Sequence, residues 1–146
     1  MKQKDTFLDS EADTWIQRNL PVVEKITRNP AHPIVKLVAA LVEARQLPAG
    51  MKILEIGCGN GGGLAFLAET FGADVYGIVP SAVAVAMACE NGVKAVRGTA
   101  DELPFDAGSF DIVIFGFCLY LCDRAALFVI AREADRVLKD SAWLII

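Results

Sequence analysis

The stretch Met51-Lys-Ile-Leu-Glu-Ile-Gly-Cys-Gly-Asn-Gly-Gly-Gly63 constrains this chain more than any other. Ile53, Leu54 and Ile56 form a short apolar run of the kind buried on both faces of a parallel sheet. The run stops at Gly57, and further glycines at 59, 61, 62 and 63 precede the helical pattern Leu64-Ala-Phe-Leu-Ala68. A glycine turn between a buried strand and a helix lets backbone approach a ligand closely, because no Cβ intervenes. Glu55, two residues before the first glycine, suits a ligand with a positive end.

Strand and helix patterns then alternate. Ala73 to Val79 predicts strand two, Ser81 caps a helix to about Glu90, and Asn91-Gly92 turns into strand three over Val93 to Arg97. A loop from Gly98 to Gly108 leads to strand four over Phe110 to Phe115. Asp123 is placed to cap a long helix carrying Leu127, Ile130, Ala134 and Val137, and Ala142 to Ile146 predicts strand five. Strands alternating with helices predict right-handed crossovers and an α/β fold with a parallel sheet. Ahead of these, Ile34, Leu37, Val38, Leu41 and Val42 predict a helix from Pro33 with its apolar face on the sheet.

The glycines are open to two readings. Gly57, Gly59 and Gly62 satisfy the dinucleotide pattern G-x-G-x-x-G. Read as acid-x-G-x-G-x-G, with Glu55, Gly57, Gly59 and Gly61, the stretch resembles motif I of class I S-adenosylmethionine-dependent methyltransferases. Gly98-Thr-Ala-Asp-Glu-Leu-Pro-Phe105, Ser109-Phe-Asp-Ile-Val113 and Arg136-Val-Leu-Lys139 resemble later segments of that family in the same order. The resemblance covers roughly residues 34 to 146. It implies a Rossmann-like, three-layer fold with sheet order 3-2-1-4-5, S-adenosylmethionine as cofactor, and methyl transfer to a small acceptor.

It also implies a site. The methionine end of the cofactor belongs on the backbone of Gly57, Cys58 and Gly59, with Gly61 completing the turn and Glu55 favouring the ammonium. The family's strand-two acid, which takes the ribose hydroxyls, is replaced here by Val79. Losing such a charge-assisted hydrogen bond costs about 1.5–3 kcal/mol, one to two orders of magnitude in affinity. The same absence weakens the alternative of an NAD-dependent oxidoreductase. Ala100 and Asp101 are the candidates for the adenine, and Phe117 and Tyr120 for the sulfonium, which aromatic rings attract. Transfer to oxygen needs a proton acceptor, for which Asp123, Tyr120 and His32 are candidates; no catalytic residue is assigned.

The family continues past strand five with two further strands, which this chain lacks. A non-catalytic or fragmentary module acting in binding or assembly is therefore a further alternative. With no strand beyond it, strand five is expected to leave an apolar edge that favours a homodimer.

Residues 1–32 form an N-terminal helical extension ahead of a domain over 33–146. Phe7, Leu8, Trp15, Ile16 and Leu20 are spaced for a helix, with Asp9 or Ser10 as its cap, and predict a lid with Trp15 and Arg18 as contacts. The segment from Phe7 to Asn19 resembles a bacterial methylase group of surface-sugar biosynthesis, which implies a sugar or related metabolite as acceptor. A net charge of −4 and a pI near 4.9 give no basic footprint for nucleic acid or an anionic membrane. The apolar stretch Ile112 to Cys122 is too short to cross a bilayer and the N-terminus is polar, so the cytoplasm is expected. Cys58, Cys89, Cys118 and Cys122 read as reduced thiols, and with one histidine, His32, no metal site is expected.

Overall fold

The computed structural model describes residues 3–26 and 29–146. Five strands, β1 (Lys52–Ile56), β2 (Asp74–Val79), β3 (Lys94–Arg97), β4 (Phe110–Phe115) and β5 (Leu138–Ile145), form one sheet in the order β3-β2-β1-β4-β5. All four pairings are parallel, as crossover connections require. The α/β class, the strand order and the three layers therefore match the expectation.

Alternation along each strand builds two cores. Ile53, Val75, Ile112 and Ile114 point to one face, against α4 (Gly62–Phe71) and α5 (Ala82–Glu90). Leu54, Ile56, Ile78 and Val113 point to the other, against Ile130, Ala134 and Val137 of α6 (Leu127–Val137). Ser81 caps α5 as expected, its hydroxyl accepting from the Ala84 amide at 3.0 Å.

Ahead of β1, α1 (Gln3–Thr6), a π turn at Phe7–Glu11 and α2 (Ala12–Ile26) run as one helical rod. The cap expected at Asp9 or Ser10 is absent, because Thr6 and Ala12 are both helical and the extra residue widens one turn instead of ending the helix. Ile16 is buried within the first core, so this rod shares the core of the sheet. After a turn in which Asn29 Oδ1 accepts from the Ala31 amide, α3 (Pro33–Arg45) opens with Pro33 at its first position. Its buried face is largely the expected one, since Val38 is enclosed and Ile34, Leu41 and Val42 pack against the first core. Val35 and Val38 are the residues fully enclosed, and Leu37 is exposed.

Strand five also starts earlier than expected. Helix α6 ends at Val137, and Leu138 already pairs with Phe110. The register then shifts, so that Ile112 faces Trp143, with Ser141 in the left-handed region at φ 61°. Lys139 anchors this bulge by an ion pair to Asp111, 2.8 Å, whose carboxylate also accepts from the Lys52 amide. Among the described residues no helix is long and apolar enough to cross a membrane.

Candidate functional site

A cavity of ≈ 380 Å³ lies at the carboxyl ends of β1, β2 and β4, where ligands of open α/β sheets bind. Its floor is the glycine turn. Gly57 has φ 81° and its amide donates to the Ile78 carbonyl at 2.8 Å. A Cβ there would stand 2.7 Å from the Cys118 Cβ, so only glycine fits. Gly59, with φ 54°, is different: no atom lies within 4 Å of where its Cβ would be, and it lines the cavity. The backbone at Gly59 is thus open to a ligand approaching at van der Waals distance.

Glu55 also lines the cavity. Burial pushes its carboxyl up to about 7, and no cation among the described residues answers it. The close approach of Gly116 encloses it further, since a Cβ on Gly116 would meet Glu55 Oε1 at 2.5 Å. A half-buried carboxyl with no ion-pair partner among the described residues, beside the open backbone at Gly59, is a receptor for a ligand that carries a cationic group.

Of the residues predicted for cofactor binding, Glu55, Gly57, Cys58, Gly59, Val79, Ala100, Asp101 and Phe117 all line this cavity. Gly61 does not. It caps α4 at φ 72° and lets that helix approach α5, where an added Cβ would meet Val93 Cγ2 at 2.9 Å. His32, Tyr120 and Asp123, the candidate proton acceptors, line the cavity as well. The rings of His32 and Phe117 meet edge to face with centroids 6.0 Å apart, and Phe117 is itself left-handed at φ 54°.

The N-terminal rod forms part of the wall through Lys4, Phe7, Ala12, Trp15 and Ile16. Arg18 stays outside, paired with Glu11 at 2.5 Å on the exposed side. Three ties hold the rod here. Lys4 Nζ donates to Asp101 Oδ2 at 2.9 Å. The Arg97 guanidinium donates to the Leu8 carbonyl. Asp13 accepts from the Ser81 hydroxyl at 2.5 Å and from the Val83 amide at 3.2 Å. These bonds lower the Asp13 carboxyl; burial opposes the same effect at Asp101, where the Lys4 hydrogen bond still brings a net lowering.

Sequence reasoning missed Lys4, Phe7 and Asn60, which also line the cavity. It also missed the brace beneath the third-strand loop. Arg136 donates to the carbonyls of Phe105 and Leu103 at 2.8 and 2.9 Å, while Glu133 accepts from the Leu103 amide at 2.9 Å. The Arg136 guanidinium and that amide hold the Glu133 carboxyl down to about 2. The i, i+3 spacing of Glu133 and Arg136 was the available signal.

Residues 54–146 match the family described as a methyltransferase domain. The fatty-acid O-methyltransferase of Mycolicibacterium smegmatis is 32% identical over 101 residues, covering 66% of this chain and 36% of that protein. The phthiotriol/phenolphthiotriol dimycocerosates methyltransferase of Mycobacterium leprae is 38% identical over 71 residues, 45% of this chain and 26% of that protein. A crystal structure of a SAM-dependent methyltransferase from Methanosarcina mazei aligns with TM-score 0.61 at 26% identity, over 71% of this chain and 55% of that one. The aligned part of this chain is therefore well under half the length of these curated relatives.

Proposed function

This chain belongs to the class I S-adenosylmethionine-dependent methyltransferase family, and from that membership we propose that its cavity holds the cofactor for methyl transfer to a small acceptor with an apolar body. The observation that carries the reading is the pairing of open backbone at Gly59 with the unanswered carboxyl of Glu55. When bound, S-adenosylmethionine supplies an electrophilic methyl group on a sulfonium. Glu55 receives the ammonium, the Gly57 to Gly59 backbone takes the carboxylate end, and Ala100 with Asp101 bounds the adenine. The rings of Phe117 and Tyr120, exposed at the cavity rim, border the sulfonium end. Val79 offers the ribose no hydrogen bond.

The N-terminal rod is read as a lid, because Phe7, Trp15 and Ile16 roof the cavity. For the acceptor, support comes from the apolar wall of Phe7, Trp15, Ile34, Phe117 and Leu121 and from the lipid and fatty-acid acceptors in the relatives' names. A sugar, implied by the N-terminal segment, is the second reading, for which His32, Asp101 and Asp123 are polar groups on the wall. The family match argues against the NAD-dependent oxidoreductase.

One titration addresses cofactor and lid together. In a Trp143→Phe variant Trp15 is the only tryptophan, and S-adenosylhomocysteine is expected to release heat, bind with micromolar affinity (about −8 kcal/mol) and shift Trp15 emission; NAD is expected to do neither. Binding of NAD in its place overturns the cofactor assignment. Heat without a change in Trp15 emission overturns the lid alone.

A further inference from the structure

Two thiols in the cavity wall have no part in this reading. Cys118 and Cys122 flank a single 3₁₀ turn, Leu119–Leu121, directly after β4, and both line the cavity. Cys122 Sγ lies 3.5 Å from the Cys118 carbonyl. Cys118 Sγ also reaches the Ile56 carbonyl at 3.2 Å, and its Cβ lies against Gly57. The two thiols therefore stand one turn apart on one cavity wall, with Cys118 against the glycine turn. The remaining cysteines differ: Cys58 is buried and Cys89 is exposed on α5.

We propose that Cys118 and Cys122 are a modification site, a dithiol that low-molecular-weight disulfides such as glutathione disulfide convert to an intramolecular disulfide, closing the cavity to its ligand. The consequence for the ligand rests on the cofactor reading above; the chemistry of the pair does not. Contact with Cys118 lowers the Cys122 thiol, whereas the same contact and burial raise Cys118. Cys118 is held on the Ile56 carbonyl and packed against Gly57, which leaves Cys122 as the attacking sulfur. It loses its proton to solvent and its thiolate attacks one sulfur of glutathione disulfide, expelling glutathione thiolate and leaving a mixed disulfide. Cys118 then gives up its proton, attacks the Cys122 sulfur and expels the second glutathione thiolate. The dithiol loses two electrons and two protons, and the reagent is reduced to two molecules of glutathione.

The new bond brings the sulfurs to about 2.05 Å, closer than any hydrogen-bonded contact. Cys118 then has no S–H to donate to the Ile56 carbonyl, and the turn that carries Tyr120 must tighten against Gly57. One lost hydrogen bond and a displaced wall correspond to an affinity loss on the order of tenfold.

The test treats the full chain with glutathione disulfide, maps its disulfides by peptide mass spectrometry, and measures S-adenosylhomocysteine binding before and after, then after dithiothreitol. The expected result is a Cys118–Cys122 bond, a roughly tenfold loss of affinity, and full recovery on reduction. Cys122→Ser, compared with itself before and after treatment, should show no change in affinity. Glutathione found only on Cys89, or a mapped Cys118–Cys122 bond with unaltered affinity, overturns the proposal. If the reduced protein binds no S-adenosylhomocysteine, the cofactor reading falls, and the modification site is decided by the mapped bond alone.

Discussion

Glu55 is the residue on which burial and charge disagree most. Its carboxyl titrates near 7 when folded, against an ordinary value of 4.5, through burial alone. Between those values the folded chain keeps a proton that the unfolded chain has released. Stability from this group therefore falls as pH rises from about 4.5 to 7 and is level above, a loss of at most about 3 kcal/mol. Glu55→Gln should remove that slope. Urea unfolding at pH 5 and pH 8 is expected to show wild type losing up to about 3 kcal/mol relative to the variant, and parallel behaviour of the two proteins would mean that the carboxyl is solvated. The meeting of Glu55, Gly57 and Gly59 at one cavity was legible in the sequence because their placement is local, set by a strand end and a turn within a dozen residues. Lys4 was not, because its partner Asp101 lies 97 positions away and nothing in either segment encodes the meeting.

Among the elements, the loop from Gly98 to Gly108 depends most on another element. It carries Ala100 and Asp101, yet has only one short bridge of its own, Thr99 to Glu102. Its position comes from α6, through Arg136 on two loop carbonyls and Glu133 on a loop amide. Arg136→Ala leaves those carbonyls unpaired and Glu133 without its cation, so a cost of about 2–3 kcal/mol in unfolding free energy is expected. Arg136→Lys should recover only part of it, since an ammonium cannot reproduce the two-pronged geometry. Full recovery by lysine in a denaturant titration would show that charge alone holds the loop. Element types could be read because short apolar runs alternate with helical patterns across glycine turns, whereas the strand order was what the resemblance to the methyltransferase family implied. Boundaries at contested ends could not. The N-terminal rod runs through its expected cap by way of a π turn, and β5 begins at Leu138 because its pairing with Phe110 and the Lys139–Asp111 bridge outweigh the continuation of α6. On α3 a single position was misjudged for a related reason: Leu37 satisfies the helical spacing, but the angle at which α3 meets the sheet leaves it exposed and encloses Val35 instead.

At the scale of the whole molecule, the two margins of the sheet are not equivalent. β3 lies beside α5, which packs against it within the first core. β5 is the opposite margin, and among the described residues no strand pairs with it beyond β4. Its first half carries Lys139, Asp140 and Ser141, but its second half, from Ala142 to Ile145, is apolar, with Leu144 41% exposed and the following Ile146 81% exposed. One guard is present, the Arg45 guanidinium stacked 4.8 Å over the Trp143 ring, but no charged side chain lies in the strand from Ala142 to Ile145. An exposed edge of this composition pairs readily with another chain, and the simplest closed arrangement is a two-fold dimer in which β5 meets its own copy. We therefore predict that residues 1–146 self-associate. Light scattering after size exclusion should give a mass that rises with concentration toward twice the monomer. Leu144→Lys, which places a charge on the exposed side of β5 without disturbing the core, should hold the protein monomeric over the same range. A wild-type mass that stays at the monomer across that series would mean that the edge is protected by the twist and the bulge at Ser141, and the dimer would be abandoned.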